Sequence, residues 1–412
     1  MRPIGPIGPT LLARPTASMS KLEATRRLPV ITGYGCVSPL GSGLAATRKA
    51  LRAGVDGISE VRVFSASGFR AKSAGQVPEV GPWGQAPCGW ECWPRATRLV
   101  HAALGEALAS RPGFEPELVV AGTTSGGMDF GEFFLRGLSS GMSARDARRW
   151  VLGYLPQQPV IEGLKAFGLA APVRVVSNAC ASGTNALCLA ASAIRSGSYS
   201  RVLAIGFDAL SEMVFAGFDA LRASTDERCR PFDKGRSGLA LGEGAACFCL
   251  EEARRVPPGT ARASIPGWGL ANDNHHLTQP DPAGTGPHLS MQRALSDAGW
   301  ETVDYINAHG TGTPFNDASE AAAIRAVCPE VPVSSTKGMT GHALGAAGAI
   351  EAAFCLLAME SGFLPPNINL RESDSGLNIV ANTARDSDVR RTMSNSFGFG
   401  GANATILLER AP

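Results

Sequence analysis

The sequence predicts an α/β fold built twice over, and three observations predict it. Apolar, β-branched runs alternate with Gly/Ala-rich helical stretches, the pattern of a largely parallel central sheet flanked by helices. Glycine supplies 49 of 412 residues, well above the roughly 7% of an average chain, as many tight turns and close backbone approaches require. Finally, the chain repeats itself. VVSNACASGTNALCLAASAIRSG is echoed by PVSSTKGMTGHALGAAGAIEA, and GLALGEGAACFCLE by FGFGGANATILLE. Ser177 to Glu251 spans 74 residues and Ser334 to Glu409 spans 75. The alternative, chance likeness among Gly/Ala-rich stretches, leaves those matching intervals unexplained.

Element by element, residues 1–28 read as a flexible extension. Prolines break their short apolar stretches, which do not reach the length of a signal-peptide core. LPVITGYGCVSPLGSG (28–43) predicts a strand and turn leading into a helix over 44–53. ELVVAGTTSGGM (117–128) predicts a second strand. In 173–197 a β-branched run meets the turn Ser-Asn-Ala-Cys, and a small-residue helix follows and ends at Gly197. RVLAIGFDAL (201–210) is a further buried strand. The polar, Pro-rich stretch 254–264 marks the joint, giving halves over 29–258 and 259–412. The second half repeats the pattern at 305–313, 331–362 and 394–409.

Composition excludes several classes of function. Lys+Arg 38 against Asp+Glu 36 gives a net charge of +2, without the basic excess of a nucleic-acid binder. No run of 18 apolar residues is free of charge, so no membrane span is expected. Ten cysteines without a secretory signal point to free thiols in a reducing compartment, with the cytoplasm as the expected location.

Cys180 stands where a strand turns into a helix. There the helix dipole and unpaired N–H groups favour thiolate, and Ala179, Ala181, Ser182 and Gly183 leave room for a bulky acyl group. Cys188, Cys247, Cys249 and Cys355 sit in apolar runs and read as small core residues. His309 (NAHGTGT) and His342 (TGHALG) occupy Gly-rich loops that can bring an imidazole to a substrate without crowding. Metal ligation is the rival reading, but one Cys and two His lack a clear fourth ligand and a zinc spacing. Lys337 shares the loop of His342. Glu243 is a charge in an apolar strand pair. An ion pair between them is one reading, and two solvated loop charges the other. The glycines of FGFGG (397–401) allow close backbone approach, so its N–H groups suit an oxyanion hole with that of Cys180.

Taken together, Cys180 in NACASG, His309 in NAHGTGT, Lys337 and His342 in STKGMTGHALGAAG, RPFDKGRSGLALGEGA (230–245) and NSFGFGGAN (395–403) resemble the β-ketoacyl-acyl-carrier-protein synthases of the I/II type. The resemblance covers roughly residues 29–409. It implies a thiolase fold, duplicated αβαβα halves in five layers, and a homodimer, with a heterodimer with a chain-length-factor-like paralogue as the alternative. It also implies decarboxylative Claisen condensation with Cys180 as nucleophile and His309 and His342 at the enolate. Lys337 and Glu243 are implied as the support pair, Phe399 as the gate and N–H donor, and Thr311, Thr313, Thr278, Phe397 and Gly400 as substrate contacts. No metal or organic cofactor is implied, because the substrates ride on the phosphopantetheine of acyl carrier protein. Ala402 departs from the Thr common in synthase II proteins.

Arg145, Arg148, Arg149 and Arg222 are candidates for docking that acidic carrier, or ordinary solvated helix charges. The segment 81–94, rich in Trp and Cys, reads as a covering loop, and His275 and His276 as loop residues. Two other functions stay open: a chain-length-factor-like partner subunit of a heterodimeric ketosynthase, and a thioester hydrolase using the same Cys–His set.

Overall fold

The computed structural model describes residues 27–411, so most of the expected N-terminal extension lies outside the described residues. In the first half, strand β1 (Pro29–Ser38) is followed by the expected helix over Leu44–Ala53, then by helix α1 (Arg95–Ser110), β2 (Leu118–Gly122) and helices α2 (Met128–Ser139) and α3 (Ala144–Gly153). Then come β3 (Val173–Val176), α4 (Ser182–Arg195), β4 (Arg201–Asp208) and β5 (Gly244–Glu252). Short β6 (Ala263–Ser264) lies in the joint. The second half runs β7 (Trp268–Asn272), α5 (Thr285–Ala298), β8 (Tyr305–Asn307), α6 (Pro314–Val327), β9 (Val333–Ser334), α7 (Ala347–Ser361), β10 (Arg391–Gly398) and β11 (Ala402–Arg410).

The strand order exposes the duplication. The first half pairs β3-β2-β4-β5-β1 and the second β9-β8-β10-β11-β7. In each, the first two pairings are parallel and the last two antiparallel. The sheets are therefore mixed rather than largely parallel as expected. The reason is visible at β10 and β11: only the three residues Phe399–Gly401 join them, and a connection that short can only return antiparallel. Strand β6 pairs with both β1 and β11 and ties the halves together.

Helix α1 packs on β1 and β5, α4 and α7 lie between the two sheets, and α5 packs on β7 and β11 with α6 beside it. This is the expected five-layered thiolase arrangement. The two inner helices approach almost backbone to backbone. A Cβ on Gly183 of α4 would lie 2.7 Å from the Gly345 carbonyl, which is why small residues crowd both helix starts. The apolar stretch Leu344–Ser361 is long enough to cross a membrane by composition, yet it is mostly buried within the fold. Seven cysteines besides Cys180, Cys88 and Cys92 are buried. The 81–94 segment covers α1: Trp83 lies over Gly105, while Trp90 and Trp93 flank His101 at 5.3 and 5.5 Å.

Candidate active site

The turn bearing Cys180 is held tightly. Ala179 takes φ 47, in the region that favours glycine, and hydrogen bonds keep it there. Ser182 Oγ donates to the Ala179 carbonyl at 2.6 Å and accepts the Asn178 N–H at 2.8 Å. Thr124 Oγ1 donates to the same carbonyl at 3.0 Å. The end of β10 crosses this turn so closely that a Cβ on Gly398 would sit 3.1 Å from the Cys180 nitrogen. The backbone N–H groups of Phe399 and Cys180 lie close enough to the sulfur to favour its charged form. The thiol is 5% exposed. Burial pushes it up to about 12, with Lys337 and those two N–H groups opposing and Asp208 adding to the rise. Burial therefore works against the thiolate that the helix start favours.

His309 follows β8. Glu320 of α6 accepts its N–H at 2.8 Å and that of Gly310 at 2.7 Å. His342 comes from the second half but is stitched to the first: its N–H donates to the Ala240 carbonyl at 2.7 Å and its carbonyl accepts from Gly242 at 2.9 Å. The two rings stand 5.1 Å apart at 84°, and Phe397 lies 5.8 Å from His309. Both Nδ1 atoms are buried without a hydrogen-bond partner, which leaves Nε2 as the nitrogen open to the cavity. Burial and then the Lys337 charge hold both imidazoles well below their ordinary value, so they are neutral.

Cys180, His309 and His342 line one cavity of about 340 Å³ together with Thr278, Thr311, Thr313, Phe397 and Phe399. Thr311 and Thr313 share a hydroxyl hydrogen bond of 2.9 Å, and Asp317 holds their loop through the Gly312 N–H. The Phe399 ring stacks on Phe218 at 5.7 Å and 17°. Gly400 does not line the cavity; its N–H is spent on the Leu277 carbonyl at 2.7 Å. His275 and His276 are exposed loop residues.

The expected Lys337–Glu243 pair does not form. Lys337 Nζ binds Glu351 of α7, both side chains being almost wholly buried. Glu243 is also buried, but it accepts from Arg95 and from the N–H groups of Val77 and Leu210. It ties the start of α1 to the sheet and lines no part of the cavity. Glu351 carries the same signal that singled out Glu243, a lone acid in an apolar run, and only the position of α7 between the sheets decides which acid meets the lysine. Glu320 escaped sequence reasoning because it sits on a helix that otherwise reads as ordinary. Burial lifts its carboxyl to about 7, and the two backbone donors oppose the rise.

Of the candidate docking arginines, Arg222 lines the cavity and is exposed. Arg145 and Arg148 are exposed on α3, and the side chain of Arg149 lies outside the described set. Among the described residues no group of His, Cys, Asp and Glu is arranged to hold a metal.

Residues 163–255 match the N-terminal domain and residues 262–371 the C-terminal domain of the Beta-ketoacyl synthase family. A 3-oxoacyl-[acyl-carrier-protein] synthase 2 from Coxiella burnetii is 35% identical, the alignment covering 93% of this chain and 99% of that protein. Among solved structures, the ishigamide ketosynthase/chain length factor superposes with a TM-score of 0.87 at 33% identity, covering 94% of this chain and 100% of the other. The type II polyketide synthase complex AntDE:AntF, an acyl-carrier protein with its ketosynthase, gives 0.83 at 26% identity over 94% and 100%.

Proposed function

The chain belongs to the β-ketoacyl synthase family, and from that premise we propose that it condenses an enzyme-bound acyl group with malonyl-acyl carrier protein. The product is a 3-oxoacyl-acyl carrier protein, in type II fatty-acid or polyketide synthesis. The observation that carries the reading is the meeting of one sulfur and two neutral imidazoles in a single cavity.

Cys180 Sγ attacks the thioester carbonyl of an acyl carrier protein. A C–S bond forms to the enzyme, and the pantetheine sulfur leaves with the proton that the thiol gave up. Malonyl-carrier protein then enters past Thr311 and Thr313. Loss of CO2 leaves the electron pair of the broken C–C bond as an enolate, whose oxygen takes hydrogen bonds from the Nε2–H of His309 and His342. A neutral donor suits this step, because the negative charge exists only along the reaction path. The carbanion attacks the acyl-Cys180 carbonyl, and the N–H groups of Cys180 and Phe399 receive the tetrahedral oxyanion. Cys180 then departs as the leaving group. Burial keeps both imidazoles unprotonated, and the charge of Lys337, pinned by Glu351, adds to it. The proposed reaction calls for no metal or organic cofactor.

Exposed Arg222 beside the channel, with Arg145 and Arg148, is our assignment for the acidic carrier protein. Strand β3, at the end of its sheet and just ahead of the Cys180 turn, is our assignment for a dimer contact. The partner there is a second copy or a chain-length-factor-like paralogue, and the likeness to the ishigamide ketosynthase/chain length factor supports keeping the second alternative. The cytoplasm is where we place the activity.

Incubation with acyl-carrier protein followed by mass spectrometry tests the reading. An acyl adduct on Cys180, absent in Cys180→Ala, and 3-oxoacyl product on adding malonyl-carrier protein are expected. Labelling that persists in Cys180→Ala refutes the nucleophile. Free acid released without malonyl consumption makes the protein a hydrolase. Activity that appears only with a paralogue present makes it one subunit of a heterodimer.

A further inference from the structure

Asp208 ends strand β4, between the two turns that carry the reacting groups, and it is wholly buried. Its Oδ1 accepts from Thr123 Oγ1 at 2.7 Å, from the Ser125 N–H at 2.8 Å and from Ser125 Oγ at 2.6 Å. Its Oδ2 accepts the N–H of Thr124 at 2.9 Å and of Gly345 at 2.7 Å. No cation is among these partners. A buried carboxylate is costly, and such donors are what make it tolerable.

The donors come from two places far apart in the chain. Thr123, Thr124 and Ser125 form the loop after β2, and Thr124 passes the connection on by donating its hydroxyl to the carbonyl of Ala179, the left-handed residue before Cys180. Gly345 lies in the turn just beyond His342. There is no space for a side chain at Gly345: a Cβ would sit 2.5 Å from the Thr124 nitrogen and 2.7 Å from Asp208 Oδ2. The rest of β4, from Val202 to Phe207, is buried and apolar apart from its backbone, so core packing by itself gives no reason for a charge at its end.

We propose that Asp208 is a positioning residue that locks the Cys180 turn and the His342 turn into one register, so that sulfur and imidazole address the same substrate. The kinetic half of this inference rests on the ketosynthase reading above, and the structural half does not. Asp208 touches neither substrate nor reacting atom. Its charge also bears on the Cys180 thiol, an effect Thr124→Val leaves in place, and its positioning role runs through Thr124 on one side and Gly345 on the other. An error of about 1 Å between reacting groups is enough to cost about a hundredfold in rate, so a shared anchor for two turns from different halves has a direct effect on turnover.

The test compares Asp208→Asn and Thr124→Val with the parent protein in two measurements: steady-state condensation with acyl- and malonyl-carrier proteins, and hydrogen exchange followed by mass spectrometry. For Asp208→Asn, kcat falls about tenfold or more while KM for malonyl-carrier protein stays within about twofold, and exchange quickens in peptides covering both 178–183 and 343–348. For Thr124→Val, an exposed residue whose backbone N–H to Asp208 is kept, kcat falls less and exchange quickens in 178–183 alone. Overturning results are an Asp208→Asn kcat within about twofold of the parent, a loss confined to KM, or exchange altered in only one of the two turns. Should Asp208→Asn fail to fold, Thr124→Val decides, and unchanged exchange at 178–183 with unchanged kcat sinks the inference. A parent protein that makes no 3-oxoacyl product, alone or with a chain-length-factor-like paralogue, overturns the ketosynthase reading instead, while the exchange measurement still judges the lock.

Discussion

Lys337 and Glu351 bind each other in the centre of the molecule, fourteen residues apart in sequence and sealed from solvent between the two sheets. The pair lies where the lysine charge bears on both imidazoles and on the Cys180 sulfur. Removing the acid leaves an ammonium stranded in the core. We expect Glu351→Ala to destabilise the fold by about 3–5 kcal/mol, read from urea unfolding. In double-mutant cycles Lys337 couples to Glu351, whereas Lys337 and Glu243 variants add, since Glu243 binds Arg95 instead. Strong Lys337–Glu243 coupling contradicts this arrangement.

Stability should depend on pH through the buried histidines. Both have folded values well below the ordinary 6.5, whereas the unfolded chain takes up protons on them near that value. The unfolded state therefore binds more protons once pH drops under about 6.5, and the slope of unfolding free energy against pH is positive there. The contribution is complete above 6.5 and is lost as pH falls toward the folded values. Replacing His309 by non-titrating Asn should flatten the decline in urea-unfolding free energy between about pH 6.5 and 4.5. An unchanged slope is the contrary result.

Gly348 of α7 packs against Thr184 of α4 and Ser396 of β10, whose hydroxyls bond each other at 2.8 Å. A methyl group there has no room. Gly348→Ala should cost about 1–3 kcal/mol, and Thr184→Ala in the same chain should recover part of that by removing the nearest obstructing atom. Thermal denaturation of the three variants checks this, and an additive double variant argues against direct contact.

Arg222 offers a separable test of carrier docking. Arg222→Glu should raise KM for carrier-protein thioesters several-fold and weaken its salt dependence. With a small pantetheine-like thioester, which has no protein surface to dock, the two proteins should differ little. Equal losses with both substrates place the arginine in contact with the arm rather than the carrier.

Much of this protein can be read along the chain. Cys180, His309 and His342 each announce themselves as a reactive side chain in a small-residue loop, the first two after a strand and His342 just ahead of a helix, a local signal. The duplication is legible too, because Gly/Ala-rich helix starts are forced wherever α4 and α7 approach backbone to backbone. Pairings between distant segments were not legible. Glu243 and Glu351 are both lone acids in apolar runs, and periodicity does not say which of two sheets, or the space between them, each will face. Glu320 gave still less warning, since its task is to accept two backbone N–H groups and backbone partners leave no mark on composition.

By itself, the sequence determined the reacting groups, the strand-and-helix order and the two-fold repeat, because these follow from local residue chemistry and spacing. Only the tertiary structure decided which acid neutralises Lys337, that burial opposes ionisation of Cys180, and that Asp208 stands between two turns from opposite halves. Those outcomes depend on desolvation and on contacts between separate elements, from fourteen residues apart for Lys337 and Glu351 to 137 for Asp208 and Gly345, and both are fixed only when the two sheets close over α4 and α7.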